Sequence, residues 1–136
     1  VELKIGDYVK IAPIEQLLEL YGTCYPNFGL NTFNTYYGAK GMLRHHMDEI
    51  YRVEFVDSSY NKVFPVRLPI PYSPNPNRQF YFNPKELIKL DLVERSSTIY
   101  GYTKTFKLPA EMSQYDVDKI LAKELIHLIT KNYLQG

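Results

Sequence analysis

Six of the nine prolines in this chain fall between Pro65 and Pro84. Proline fixes φ and has no N–H to donate, so the stretch excludes a helix and argues against a central strand. Pro69 to Asn77 therefore reads as an extended excursion close to polyproline II, joining two strands. Leu, Ile, Val and Phe together make 40 of the 136 residues, enough for one packed domain and too many for a disordered chain. No apolar run approaches the roughly 18 residues of a membrane span.

On either side of the prolines the pattern alternates between strand and helix periods. Leu3, Ile5, Val9 and Ile11 recur with period two, broken by Gly6-Asp7, which predicts a strand with a turn near its start. Pro13 opens a short helix, Ile14 to Tyr21, closed by Gly22. Thr23 to Gly41 has three Gly, one Pro, three Asn and no acid, and reads as a long loop. Met42 to Glu49 makes a helical turn, and Ile50 to Asp57 a strand with Tyr51, Val53 and Phe55 on one face. Ser58 to Asn61 is a hairpin connection to a strand from Lys62 to Leu68, and Gln79 to Phe82 returns to strand. Asn83-Pro84 starts a short helix over Lys85 to Lys89. Thr98 to Leu108 alternates as one further strand. Ser113 caps a last helix, with Asp116 placed as in a capping box. In it Val117, Ile120, Leu121, Leu125 and Leu128 form an apolar stripe. Ile126, Ile129, Tyr133 and Leu134 widen that stripe, which predicts burial on more than one side.

The front of the chain resembles a known type of module. Lys4-Ile5-Gly6-Asp7-Tyr8-Val9-Lys10-Ile11 is similar to the opening strand of SH3-like β-barrels, where a Gly-Asp pair precedes the first barrel strand. Tyr51-Arg52-Val53 fits a middle strand. Phe80-Tyr81-Phe82-Asn83-Pro84-Lys85-Glu86-Leu87 fits an aromatic strand running into a short helical turn. The resemblance spans about residues 4–90, is interrupted by the 23–41 insert and the proline excursion, and is shared with small phage-encoded proteins of unassigned role. It implies an α+β fold, a small SH3-like antiparallel barrel with long loop insertions and a packed C-terminal helix. The 136 residues then form a single domain, with 4–90 as the barrel and 91–136 as an extra strand and helix. Modules of this shape bind peptides, nucleic acids or partner domains, and fold alone does not choose among them.

Chemistry-bearing residues are sparse. His45, Asp48 and Glu49 share a helical face, but at most two ligands converge there and His127 is far along the chain, so no metal is expected. Cys24 stands alone, without a nucleophile signature; a single cysteine and a start without signal-peptide pattern suggest the cytoplasm. Gly38 to Gly41 lacks the spacing of a phosphate-cradling loop. Pro71-Tyr72-Ser73-Pro74 matches a P-x-x-P core, although Arg67 and Arg78 are each four positions away, and it also serves as a stiff strand connection. No catalytic set or cofactor site emerges, and the expected class is non-enzymatic.

The most informative signal is where acids are missing. No Asp or Glu occurs from Leu20 to Met47 or from Ser58 to Lys85, whereas six bases and twelve aromatics do. Residues 37–90 carry eight bases and five acids, although the whole chain is only +1. Aromatics interleaved with bases suit an acidic protein surface, anchored by Tyr and Arg. They equally suit single-stranded nucleic acid, where bases stack. The expected binding residues are Tyr25, Phe33, Tyr36, Tyr37, Lys40, Arg44, Tyr72 and Arg78, with Tyr36, Tyr37 and Tyr72 more exposed than Phe55 or Phe82. The leading expectation is a protein-binding module, an accessory or inhibitory phage protein that occludes a partner surface. Single-stranded nucleic-acid binding is the alternative, weakened by the near-neutral charge. A structural subunit that docks or self-associates through its C-terminal helix is a third; no membrane partner is expected.

Overall fold

The computed structural model describes residues 2–59, 62–72 and 75–135, with side chains as far as 132. It is an α+β protein that divides into two compact units, Val1–Leu90 and Asp91–Gly136. Among the described residues the strands form three separate antiparallel sheets and no closed barrel. No helix is long and apolar enough to cross a membrane.

The first unit runs β1 (Tyr8–Ile11), α1 (Ile14–Thr23), α2 (Gly29–Tyr36), a 3₁₀ turn at Arg44–His46, β2 (Tyr51–Arg52), β3 (Phe55–Val56), β4 (Val66–Tyr72), β5 (Asn75–Phe82), a second 3₁₀ turn at Pro84–Glu86 and β6 (Leu87–Lys89). One sheet has the order β2-β1-β6 and the other β3-β4-β5. The alternation that predicted β1 is real: Val9 and Ile11 are buried, and the chain enters through Gly6 at a φ of +94° that side chains rarely adopt. Val9, Leu17, Val53, Val66, Leu68 and Phe82 lie at the centre of the core between the sheets and helices.

Several expectations for this unit are corrected. The proline-rich stretch is not an excursion: Pro69 and Pro71 lie within β4, the middle strand of its sheet. The sheet tolerates them because β3 pairs with β4 only at Arg67 and Val66, and the ladder to β5 shifts register around Pro71. Neither proline is asked for an N–H on its β3 side. The 23–41 segment contains a helix, α2, whose Phe33 is buried; packing decided a segment whose Asn and Thr favour helix weakly. Gly22 does not stop α1, which ends where the Cys24 N–H reaches the Leu20 carbonyl at 2.7 Å.

The 50–57 segment is two strands in different sheets. Val53 bonds to Gly6 and Asp7 beside β1, and the next residue, Glu54, donates to the Arg67 carbonyl of β4. The crossing turns Phe55 outward, 40% exposed, contrary to the expected shared face with Val53. Leu87–Lys89 is strand rather than helix, because its backbone completes the β1 sheet. Strand β4 starts at Val66 rather than Lys62, and the expected 58–61 connection includes Tyr60 and Asn61, which lie outside the described residues.

The second unit is a hairpin, β7 (Leu92–Ile99) and β8 (Tyr102–Pro109), followed by α3 (Gln114–Gln135). The single strand expected over 98–108 is broken by Tyr100 and Gly101, both at positive φ (51° and 79°), the requirement of a tight hairpin turn with strand-matching twist. Ser113 caps α3 as expected, its Oγ accepting the Asp116 N–H at 3.1 Å. Arg95 gathers the carbonyls of Pro109 and Met112 at 2.9 and 2.8 Å, and Ser97 donates to Asp118 at 2.6 Å. The helix is less buried than its stripe implied. Val117 and Leu121 are buried, but Ile126, Leu128 and Ile129 are exposed. A two-stranded hairpin offers a narrow face, and one line of residues at i and i+4 covers it. Tyr133 and Leu134 lie beyond the described side chains.

Leu68→Ala should therefore destabilise the protein by about 2–5 kcal/mol. Ile129→Ala, at 67% exposure, should stay within about 0.5 kcal/mol. Urea unfolding of both variants checks the assignment.

Candidate functional site

A cleft of about 950 Å³ opens in the first unit between the helices and the β4–β5 hairpin. Of its 18 lining residues, 16 come from the two acid-free stretches, 20–47 and 58–85, so the missing acids mark the walls of one site. The exceptions are Asp57 and Glu86, which flank the second stretch at its start and end.

Glu86 is the floor. Asn83 starts the 3₁₀ turn by accepting the Lys85 N–H on Oδ1 at 2.8 Å, and Glu86 Oε1 accepts the Asn83 N–H at 2.8 Å. Its other oxygen, Oε2, accepts hydroxyl protons from Tyr21 at 3.0 Å and Tyr37 at 2.7 Å. The side chain is buried, and burial pushes its pKa above the ordinary carboxylate range despite the three donors. Burial, reinforced by the neighbouring Glu86 carboxylate, likewise pushes the Tyr21 and Tyr37 hydroxyls up.

Aromatic rings build the walls. Tyr21 packs edge-on against Tyr25, Phe28, Phe33 and Tyr37, and Phe28 packs against Phe64. On the hairpin side Phe80 meets Tyr36 and Tyr72 at centroid distances of 6.0 and 5.1 Å, both edge-to-face. Gly38 and Gly41 let the chain fold back on the end of α2. A Cβ at Gly41 would fall 2.4 Å from the Tyr36 carbonyl oxygen. That approach seats Met42 and Leu43 amides on the Thr35 and Tyr36 carbonyls, at 3.0 and 2.8 Å.

The remaining charged lining residues are mostly basic. Lys62, Arg67 and Arg78 line the cleft against Asp57, whose carboxylate is held below its usual range by hydrogen bonds from Ser59 and by Lys62 at 3.6 Å. Arg78 is exposed and makes no ion pair with another described residue.

Of the eight binding residues expected from sequence, the cleft brings together Tyr36, Tyr37, Tyr72 and Arg78. Tyr37 is not a free loop residue but 1% exposed, because its hydroxyl is needed inward at Glu86. Tyr25 and Phe33 are buried packing residues outside the lining, and the Tyr25 hydroxyl has no partner among the described residues. Lys40 and Arg44 are exposed elsewhere. Sequence reasoning passed over Glu86, Tyr21, Arg67 and Phe80; the Asn83-to-Glu86 capping spacing was the available signal for the first.

The other candidates have different surroundings. His46 bonds through Nδ1 to the Tyr51 hydroxyl at 2.5 Å, and burial pushes that hydroxyl up to about 12. No group of three or more metal-ligating side chains occurs among the described residues. Cys24 is exposed beside Thr23. Pro71 and Tyr72 belong to β4, while Ser73 and Pro74 of the P-x-x-P match lie outside the described residues.

Tyr37→Phe should cost about 1.5–3 kcal/mol, since it leaves a buried carboxyl short of one donor. Gly41→Ala should cost about 1–3 kcal/mol by pushing apart the backbone that positions Tyr36 and Tyr37. With its native pKa raised, folded Glu86 keeps a proton that the unfolded chain has already released. Its contribution is therefore complete below the ordinary carboxylate range and is lost as pH rises through the native pKa. Asp57, with a lowered pKa, acts oppositely and at lower pH: its contribution is lost as pH falls. Glu86→Gln should flatten the decline of stability with rising pH, which denaturant unfolding at stepped pH would read. Comparison of the chain with models of protein families, with characterised proteins and with solved structures found no match.

Proposed function

We propose that the protein is a non-enzymatic binding module whose cleft takes a segment of a partner protein with apolar or aromatic side chains beside acidic ones. The carrying observation is the composition of the cleft: aromatic walls with Lys62, Arg67 and Arg78 against one half-buried acid besides Glu86, Asp57. Aromatic and Arg anchors in a concave, partly desolvated site are the usual source of protein-binding energy. The resemblance of residues 4–90 to SH3-like modules fits a binding role without choosing the ligand, and occlusion of a partner surface by the aromatic and basic residues is the proposed mode.

A catalytic reading has less support. Glu86, the acid with the largest burial, already accepts three hydrogen bonds and lies beneath Tyr21 and Tyr37. Single-stranded nucleic acid is the second reading, favoured by the exposed ring of Tyr81 in a lining that also includes Arg78. Against it, Tyr36, Phe80 and Tyr72 are engaged with one another edge-to-face, which leaves fewer ring faces for bases.

Selection of a displayed random-peptide library on the protein should enrich peptides combining aromatic and acidic residues. Their affinity should fall at least about tenfold on the Tyr72→Ala/Arg78→Ala double variant. Equal binding to both proteins removes the cleft as the site. Tight binding of a single-stranded oligonucleotide that collapses between about 50 and 200 mM salt would favour the second reading.

A further inference from the structure

Resting on that protein-binding reading, we propose that Arg67 is the anchor for a carboxylate of the bound segment and that Glu54 competes with it. Arg67 sits on β4, where its carbonyl accepts the Glu54 N–H at 3.0 Å, so the two residues are held side by side. Its guanidinium carbon lies 5.3 Å from the centroid of the Phe55 ring, which supports it from one side. Its Nε is shielded from solvent and has no hydrogen-bond partner among the described residues. The Glu54 carboxylate stops 4.0 Å away, close enough for attraction and too far for a bond.

The Arg67 side chain is 36% exposed as a whole although its Nε is shielded, so the terminal N–H groups are the ones an arriving carboxylate meets. Guanidinium presents two parallel N–H groups to a carboxylate, which a lysine does not. Lys62 and Arg78 line the same cleft and draw an acidic segment toward it. Glu54 lies within Coulombic reach of the same guanidinium, and its charge opposes the incoming acid.

The test uses two fluorescein-labelled peptides, one of alternating Glu and Tyr and one with every Glu replaced by Gln, titrated by anisotropy into the full chain. The Glu peptide should bind the wild type, and the Gln peptide at least about tenfold more weakly. Arg67→Ala should weaken the Glu peptide at least about tenfold, and Arg67→Lys should weaken it as well because the fork is lost. Glu54→Gln should tighten it about two- to fivefold, the scale of one partly screened charge. Thermal melting of each variant verifies folding, and Arg67→Lys carries the test if Arg67→Ala does not fold.

Unchanged affinity in the folded Arg67 variants, equal binding of both peptides, or no binding of the Glu peptide overturns the anchor. Peptides enriched by display would still stand in that case, so the protein-binding reading survives it. Arg67-dependent binding of single-stranded DNA without binding of the Glu peptide also overturns it, in favour of phosphate.

Discussion

A single carboxyl group, Glu86, ties together three parts of the first unit that are distant along the chain. Its two tyrosine donors come from 65 and 49 residues upstream, and its third donor is the backbone of its own turn. A buried acid is costly without such partners, and with them it holds the helices at defined positions over the β4–β5 hairpin. The cleft walls follow from this. Tyr21 and Tyr37 cannot both rotate out without stripping Oε2 of its donors, and the rings packed on Tyr21 are held in turn.

The polar floor and the basic residues have different physical roles. The floor uses its hydrogen-bonding capacity internally, on two tyrosine hydroxyls and one backbone N–H. Lys62 faces Asp57 and Arg67 faces Glu54, which leaves Arg78 as the basic lining residue without an ion pair among the described residues. Arg67 connects the two regimes, since it is part of a strand and part of the cleft wall. A preformed apolar surface with a few unspent polar groups spares a ligand much of the ordering cost of association.

The elements legible in the sequence were those whose local chemistry agrees with the final packing. β1 was readable from the buried alternation of Val9 and Ile11, α1 from Pro13 and its apolar spacing, and the start of α3 from Ser113. The misread elements are those where a neighbour overrules local preference. α2 is held by Phe33 and Tyr37 in the core despite weak helix formers, and Leu87–Lys89 is strand because β1 needed a partner. Pro69 and Pro71 suggest an extended excursion in the sequence because strand order, which leaves part of β4 unpaired toward β3, is invisible in a linear pattern.

For the site, the distribution of acids was the readable part. Two separate acid-free stretches already announced a basic, aromatic surface, and Tyr36, Tyr72 and Arg78 could be named from it. Which aromatics line the cleft was decided only in three dimensions, because a ring on a helix or strand points inward or outward according to what lies beneath it. Tyr37 turned inward to a buried acid and Phe55 outward where the chain changes sheets. The sequence by itself determined composition, charge placement and the local caps, all properties of neighbours along the chain. The tertiary structure decided the Glu86 hub, the union of the two stretches in one cleft and the unpaired Arg67 Nε, since each joins residues that only folding brings into contact.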